Sequence, residues 1–204
     1  MEDHSILNFI LFIIFLGLTA FFVAAEFAVV KVRKSRLDQL IDEGNKKAIT
    51  AKKVASNLDY YLSACQLGIT VTALGLGTFT KPYVKQSLYP VFEWLNTPDS
   101  VVTALSYGLA LAIVSYFHVV VGEMAPKTLA IQFSEKITLM LAPPLYWFGK
   151  VMYPFIQALN GTSRILLRIF GVKSGSEDQA YSEEELKIIM AQSFRGGEID
   201  KQEL

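Results

Sequence analysis

The chain is poor in the residues that build most soluble catalytic and metal centres. Its 204 residues hold one cysteine, Cys65, and two histidines, His4 and His118. A single cysteine excludes an intrachain disulfide and a cysteine-rich metal site, and leaves Cys65 the part of a small buried apolar residue. No second imidazole lies near His118, so it reads as a packed side chain rather than a ligand. There is no phosphate-cradling glycine loop, no HExxH, no GxSxG and no nucleophile–base pair, and the chain is read as non-enzymatic. Net charge is also missing. Nineteen basic residues balance nineteen acidic ones, so nothing in the balance points to a nucleic-acid partner and none is expected.

What is present is long apolar sequence. Hydrophobic residues make up 52% of the chain. Most of the charge is confined to 31–57 and 173–204, and four apolar runs share the rest. Runs of about 18 or more apolar residues are membrane-helix candidates. The first, Ser5 to Val30, follows an acidic Met1-Glu2-Asp3-His4 and exceeds the usual h-region of a signal peptide, so it reads as a spanning helix. Small residues Gly17, Ala20, Ala24, Ala25 and Ala28 allow close approach of another helix. Glu26 sits in its last turns. It is either a carboxylate at the headgroup boundary, paired with Lys31 or Arg33, or a lining residue of a polar cavity.

Lys31, Arg33, Lys34 and Arg36 follow directly, with no Lys or Arg before the run. That asymmetry places the N-terminus outside, and the cations can also meet anionic lipid headgroups. Residues 35–57 read as a basic, helical, cytoplasmic region with a stop at Gly44-Asn45. The second run, Tyr61 to Phe79, is uncharged but carries Ser63, Gln66, Thr70, Thr72, Thr78 and three glycines. Its hydroxyls suit either helix packing or a hard cation, and both readings stand. A short amphipathic piece from Lys81-Pro82 to Trp94 and a turn at Thr97–Ser100 follow.

The third run, Val101 to Val121, has no Asp, Glu, Lys or Arg in its 21 residues and leads into Gly122-Glu123-Met124-Ala125-Pro126-Lys127-Thr128. Glu123 and Lys127 are four apart, in the favourable order for a helical ion pair. Alternatively Pro126, lacking an N–H, frees the Gly122 carbonyl one turn earlier, and that carbonyl with the Glu123 carboxylate forms part of a cation shell. The fourth run, Ile137 to Ala158, contains Pro143-Pro144, Pro154 and Lys150 and should be kinked. An amphipathic helix over Asn160 to Gly171 is expected on the inner membrane surface. Residues 172–180 read as a linker, Ser182–Glu185 as a capping box, and the helical pattern resuming at Glu198 stops at Leu204, as if a further domain followed.

Arg164, Arg168 and Lys173 favour a cytoplasmic C-terminus. With the N-terminus outside, the number of crossings is odd, so one of the four runs must enter and return. The glycine-rich second run with Lys81–Trp94 is the first candidate for that hairpin, and the proline-rich fourth run is the runner-up. The expected fold is an all-α membrane protein: three transmembrane helices, a re-entrant or half-spanning helical element and cytosolic juxtamembrane helices. Residues 1–158 form the membrane domain, and 159–204 an amphipathic helix and acidic connector.

Phe21–Ala28, Gln66–Thr70, Gly122–Thr128 and the acidic stretch Ser182–Gly197 together resemble the CNNM/CorC family, whose bacterial members are also labelled hemolysin C-like. The resemblance covers essentially the whole chain. It implies a homodimeric, multi-pass cell-membrane domain (DUF21) with three crossings, followed by a cytosolic CBS pair that binds adenine nucleotide beyond Leu204. It implies Mg²⁺ as the exported ion and Na⁺ as the coupling ion. By the same resemblance Gly122 and Glu123 match the family's cation motif, and Pro126, Lys127 and Thr128 its belt motif. Val23, Ala25, Ile69 and Ala73 stand where many members carry serines or asparagines. The remaining candidate ligands are Thr70, Ser63 and Glu26, with Thr72 as a further hydroxyl. A membrane regulator acting through cytosolic nucleotide-binding domains is the alternative function.

Overall fold

The computed structural model describes residues 2–94 and 99–171. The linker and capping box expected over 172–185, and the first half of the Thr97–Ser100 turn, lie outside them; Asp99 and Ser100 open a helix instead. The chain divides into two units, residues 1–161 and 162–204. In the second, the helix α8 (Tyr153–Ile169) ends and Gly171 takes a left-handed φ of 75°, a conformation glycine adopts without Cβ strain.

Every regular element among the described residues of the first unit is a helix. Its first helix, α1 (Glu2–Lys31), contains Ile6–Lys31, the one described segment long and apolar enough to cross a membrane. Those 26 residues extend about 39 Å. Two short helices follow, α2 (Lys34–Asp42) and α3 (Lys46–Ser56). The expected stop falls where it was read. Gly44 has φ 86°, and the Asn45 side chain accepts from the Lys47 N–H to cap α3. Leu37, Ala48, Ala51 and Val54, one apolar face of these otherwise charged helices, are fully buried.

The next helix corrects the sequence reading. In place of a hairpin broken at Lys81-Pro82, one helix, α4 (Leu58–Trp94), runs unbroken for 37 residues. A proline costs one internal hydrogen bond, whereas a chain reversal would break several at once. The helix α4 lies antiparallel to α1: Gly75 meets the Phe15 ring, Thr72 meets Thr19, and Gly68 meets the Phe22 ring.

After α5 (Asp99–Phe117) the chain passes into a π-helical segment, His118–Met124, and then into α6 (Ala125–Gln132). These three elements run parallel to α1. Val114 packs with Leu16 and Leu76, Gly122 lies against Leu16 and Thr19, and Ala130 packs with Ala24 and Ala28.

The fourth apolar run is split into α7 (Ser134–Val151), which keeps Pro143 and Pro144 inside, and α8, which starts at Tyr153 rather than Asn160. Both ends of α7 are tied to the same end of the bundle. Glu135 accepts from Arg36 Nε at 3.0 Å, a bond that raises the guanidinium pKa above its usual range. The Tyr60 hydroxyl, in the first turn of α4, donates to the Gly149 carbonyl at 2.7 Å. Gly149 permits this approach because a Cβ there would stand 2.9 Å from the Tyr61 ring.

Candidate cation site

Midway along the apolar part of α1 stands one buried hydroxyl, Thr19, with no exposed surface. Its Oγ1 lies 2.9 Å from Thr72 Oγ1 of α4 and 2.9 Å from the Phe15 carbonyl. The Thr72 hydroxyl also reaches the Gly68 and Ile69 carbonyls, at 2.9 and 3.0 Å. Each hydroxyl has one proton, so at any instant one of these bonds is made by each donor and the oxygen lone pairs remain as acceptors. A carbonyl that also takes a side-chain bond keeps both threonines satisfied inside an apolar bundle.

Beside this pair lies Gly122. A Cβ on Gly122 would stand 3.2 Å from His118 Cδ2, 3.3 Å from Leu16 Cδ1 and 3.5 Å from Thr19 Cγ2. A side chain at 122 would make the His118 ring and the Leu16 side chain give way by a few tenths of an ångström. The next residue, Glu123, is half-buried, and its Oε1 is 3.7 Å from His118 Nε2. That nitrogen is buried and has no hydrogen-bond partner. His118, read from the sequence as a packed residue, is therefore beside the carboxylate.

The expected Glu123–Lys127 pair does not form. Lys127 turns instead to α1, its Nζ 4.5 Å above the Phe27 ring, a cation–π contact. The register offers a reason. The Ala125 N–H bonds to the Val120 carbonyl, five residues back, so Glu123 and Lys127 belong to turns of different pitch. In the belt motif, Pro126 occupies the first turn of α6, where its missing N–H does least harm. The Thr128 hydroxyl bonds the Met124 carbonyl at 2.9 Å.

The other candidate ligands lie elsewhere. Ser63 bonds Asn160 Oδ1 at 2.7 Å, near the α8 side, nine residues and about 13 Å along the helix from Thr72. Thr70 is exposed and bonds the Gln66 carbonyl. Glu26 is half-buried, seven residues or about 10 Å below Thr19, and in electrostatic range of Cys65. The structure thus brings Gly122 and Glu123 together with Thr19, His118 and, through Thr19, Thr72. It does not bring Ser63, Thr70 or Glu26 to them. Among the described residues no three His, Cys, Asp or Glu side chains converge. A cation held here would draw on hydroxyl and carbonyl oxygens and on retained water besides Glu123.

Two Bacillus subtilis (strain 168) proteins match nearly all of the chain. The UPF0053 protein YhdP is 50% identical over 200 residues, 98% of this chain and 45% of its own length. The UPF0053 protein YhdT is 51% identical over 204 residues, 100% of this chain and 44% of its own length. A more distant relative, the uncharacterized protein Rv1841c of Mycobacterium tuberculosis (strain ATCC 25618 / H37Rv), is 35% identical over 195 residues. The chain spans about half the length of the curated relatives it matches. The cyclin M transmembrane N-terminal domain profile matches residues 10–203, and the chain belongs to that membrane-protein family, CNNM.

Proposed function

We propose that this chain is the membrane module of a divalent-cation exporter, with Mg²⁺ as cargo and Na⁺ entry as the driving reaction. The observation that carries the reading is the polar cluster of Thr19, Thr72, Gly122 and Glu123, level with the middle of the apolar part of α1. Ionisable and hydroxyl groups at that depth are costly in hydrocarbon and mark an ion route, and midplane sites beside irregular helix are the usual architecture of secondary transporters. In this reading Glu123 supplies the charge, the Gly122 carbonyl and the threonine oxygens supply neutral ligands, and water completes the shell, as suits a cation that dehydrates reluctantly. Glu26 lines the path toward the cytoplasm, with Ser63 and Thr70 outside the innermost shell.

The topology that fits has α1, α4 and the continuous α5–π–α6 column as the three crossings. The non-crossing element is then α7, the runner-up in the sequence reading, since both its ends meet elements at one end of the bundle. The N-terminus is outside and the C-terminus cytoplasmic, in a homodimer in the cell membrane. The remaining length of the full relatives is expected to carry the adenine-nucleotide-binding CBS pair.

The test is Mg²⁺ flux in proteoliposomes under an imposed Na⁺ gradient. Glu123→Gln keeps the size and removes the charge, and the expected loss is at least about tenfold, as for removal of one charge-stabilised ligand, with dimer elution unchanged. Wild-type flux from Glu123→Gln would overturn the site. Absence of any divalent flux from the wild type would leave the membrane-regulator reading in its place.

A further inference from the structure

We infer that His118 is a further ligand of the same site and that its imidazole gives the site affinity for first-row transition-metal dications in addition to Mg²⁺. The inference rests on the reading of Glu123 as a cation ligand and adds a nitrogen donor to it. Positions five apart on an α-helix point about 140° away from each other. In the π-helical segment His118–Met124 the repeating bond joins i to i+5, and positions five apart come to one side. That register is what sets His118 Nε2 3.7 Å from Glu123 Oε1.

The spacing matches shared coordination. Metal–ligand lengths of about 2.0–2.1 Å at a tetrahedral angle put two ligand atoms about 3.3 Å apart. A side-chain adjustment of a few tenths of an ångström closes the difference. His118 Nε2 is buried and has no hydrogen-bond partner, which is the state of a donor atom held for a ligand; a buried polar atom left unpaired otherwise destabilises the fold. Gly122, between the two on the chain, leaves the space that a Cβ would take from the imidazole. Imidazole nitrogen suits zinc, cobalt and related dications, whereas Mg²⁺ takes oxygen ligands. With His118 and Glu123 as the side-chain ligands beside neutral carbonyl and hydroxyl oxygens, and water completing the shell, the ion is bound but can still leave, as conduction requires.

The experiment compares Co²⁺, Zn²⁺ and Mg²⁺ binding to the purified protein, wild type against His118→Gln, by calorimetry and by the visible spectrum of the Co²⁺ form. Loss of a metal-bound nitrogen should weaken Co²⁺ and Zn²⁺ by at least about tenfold, leave Mg²⁺ within about threefold, and change the Co²⁺ spectrum. The only other histidine in the chain is His4, and His4→Ala should alter neither. Zinc-edge X-ray absorption on the wild type gives an answer that does not depend on a variant folding: one imidazole in the shell is expected, and an all-oxygen shell overturns the inference. If Mg²⁺ flux depends on Glu123 while His118→Gln binds Co²⁺ and Zn²⁺ as wild type does, the nitrogen ligand is wrong and the exporter reading stands. If Zn²⁺ binding depends on His118 but no divalent cation crosses the membrane, the site stands and the exporter reading falls.

Discussion

Single atoms decide how closely the helices approach, and two glycines make the point in opposite directions. A Cβ on Gly68 would lie 2.6 Å from the ring of Phe22. That ring is held by Phe148 at 4.7 Å and Phe21 at 5.0 Å between centroids, so it has little room to yield. Gly68→Ala is expected to destabilise the bundle by about 1–3 kcal/mol, the usual cost of overpacking. Gly17, on α1, the helix that carries Phe22, has nothing within 4 Å of its Cβ position. Gly17→Ala should leave stability unchanged or raise it by about 0.5–1 kcal/mol through helix propensity. Thermal melts of the two variants in one detergent check the pair. The importance of Gly68 was not legible in the sequence, where it stood as one of three glycines in the second run. Nor was Thr19. A lone hydroxyl in an apolar run can bond its own helix carbonyl, as it does to Phe15, and leaves no pattern to read. Thr72 was visible as a hydroxyl, but its inward direction is fixed only once α1 packs against α4.

At the scale of elements, the legible parts were those with a local cause. The helix α1 is apolar all round, and the break between α2 and α3 follows from Gly44 and Asn45. The illegible parts depend on register or on neighbours. Periodicity gives no separate sign for a π-helical segment seven residues long, yet that segment sets which side chains meet Glu123. Pro126 stands just after it and cannot donate the bond that would return the Gly122 carbonyl to α-helical pairing. Pro126→Ala restores the donor. The expected outcome is an α-helical register through 118–126, a melting temperature equal to or slightly above wild type because alanine restores one N–H while a first-turn proline costs the helix little, and a Zn²⁺ affinity that falls toward that of His118→Gln. A gain in stability with full metal affinity would show that Pro126 does not maintain the register. The reading of α4 as two pieces failed for a related reason. Lys81-Pro82 looks like a boundary in isolation, but the helix continues through it to Trp94, and one missing bond is a smaller penalty than the several a reversal would break.

For the whole molecule the question is which columns cross. Counting apolar runs left one too many, and composition offered two candidates for it, the glycine-rich second run and the proline-rich fourth. The long-range ties support α7 as the non-crossing element. Glu135 at the start of α7 meets α2, Gly149 near its end meets the first turn of α4, and Asn160 of α8 meets Ser63 of α4. The helix α2 follows the C-terminal end of α1, and α4 begins beside that end because the two are antiparallel. A helix fastened at both ends to one end of a bundle does not deliver its termini to opposite faces. Site-directed labelling can test this in intact cells. In a Cys65→Ala background, cysteines placed at Ser134 and at Gln157, which flank α7, should both be closed to a membrane-impermeant maleimide added outside and both open once the membrane is permeabilised. A cysteine at Asp99, the first residue of α5, should react from outside without permeabilisation. Cys65 itself is 1% exposed, so its removal costs packing and not a labelled site. Opposite accessibility of 134 and 157 would make α7 a crossing helix. The parity of the fold would then have to be restored by withdrawing one of α1, α4 or the α5–π–α6 column, and with it the midplane position of Glu123 on which the cation reading depends.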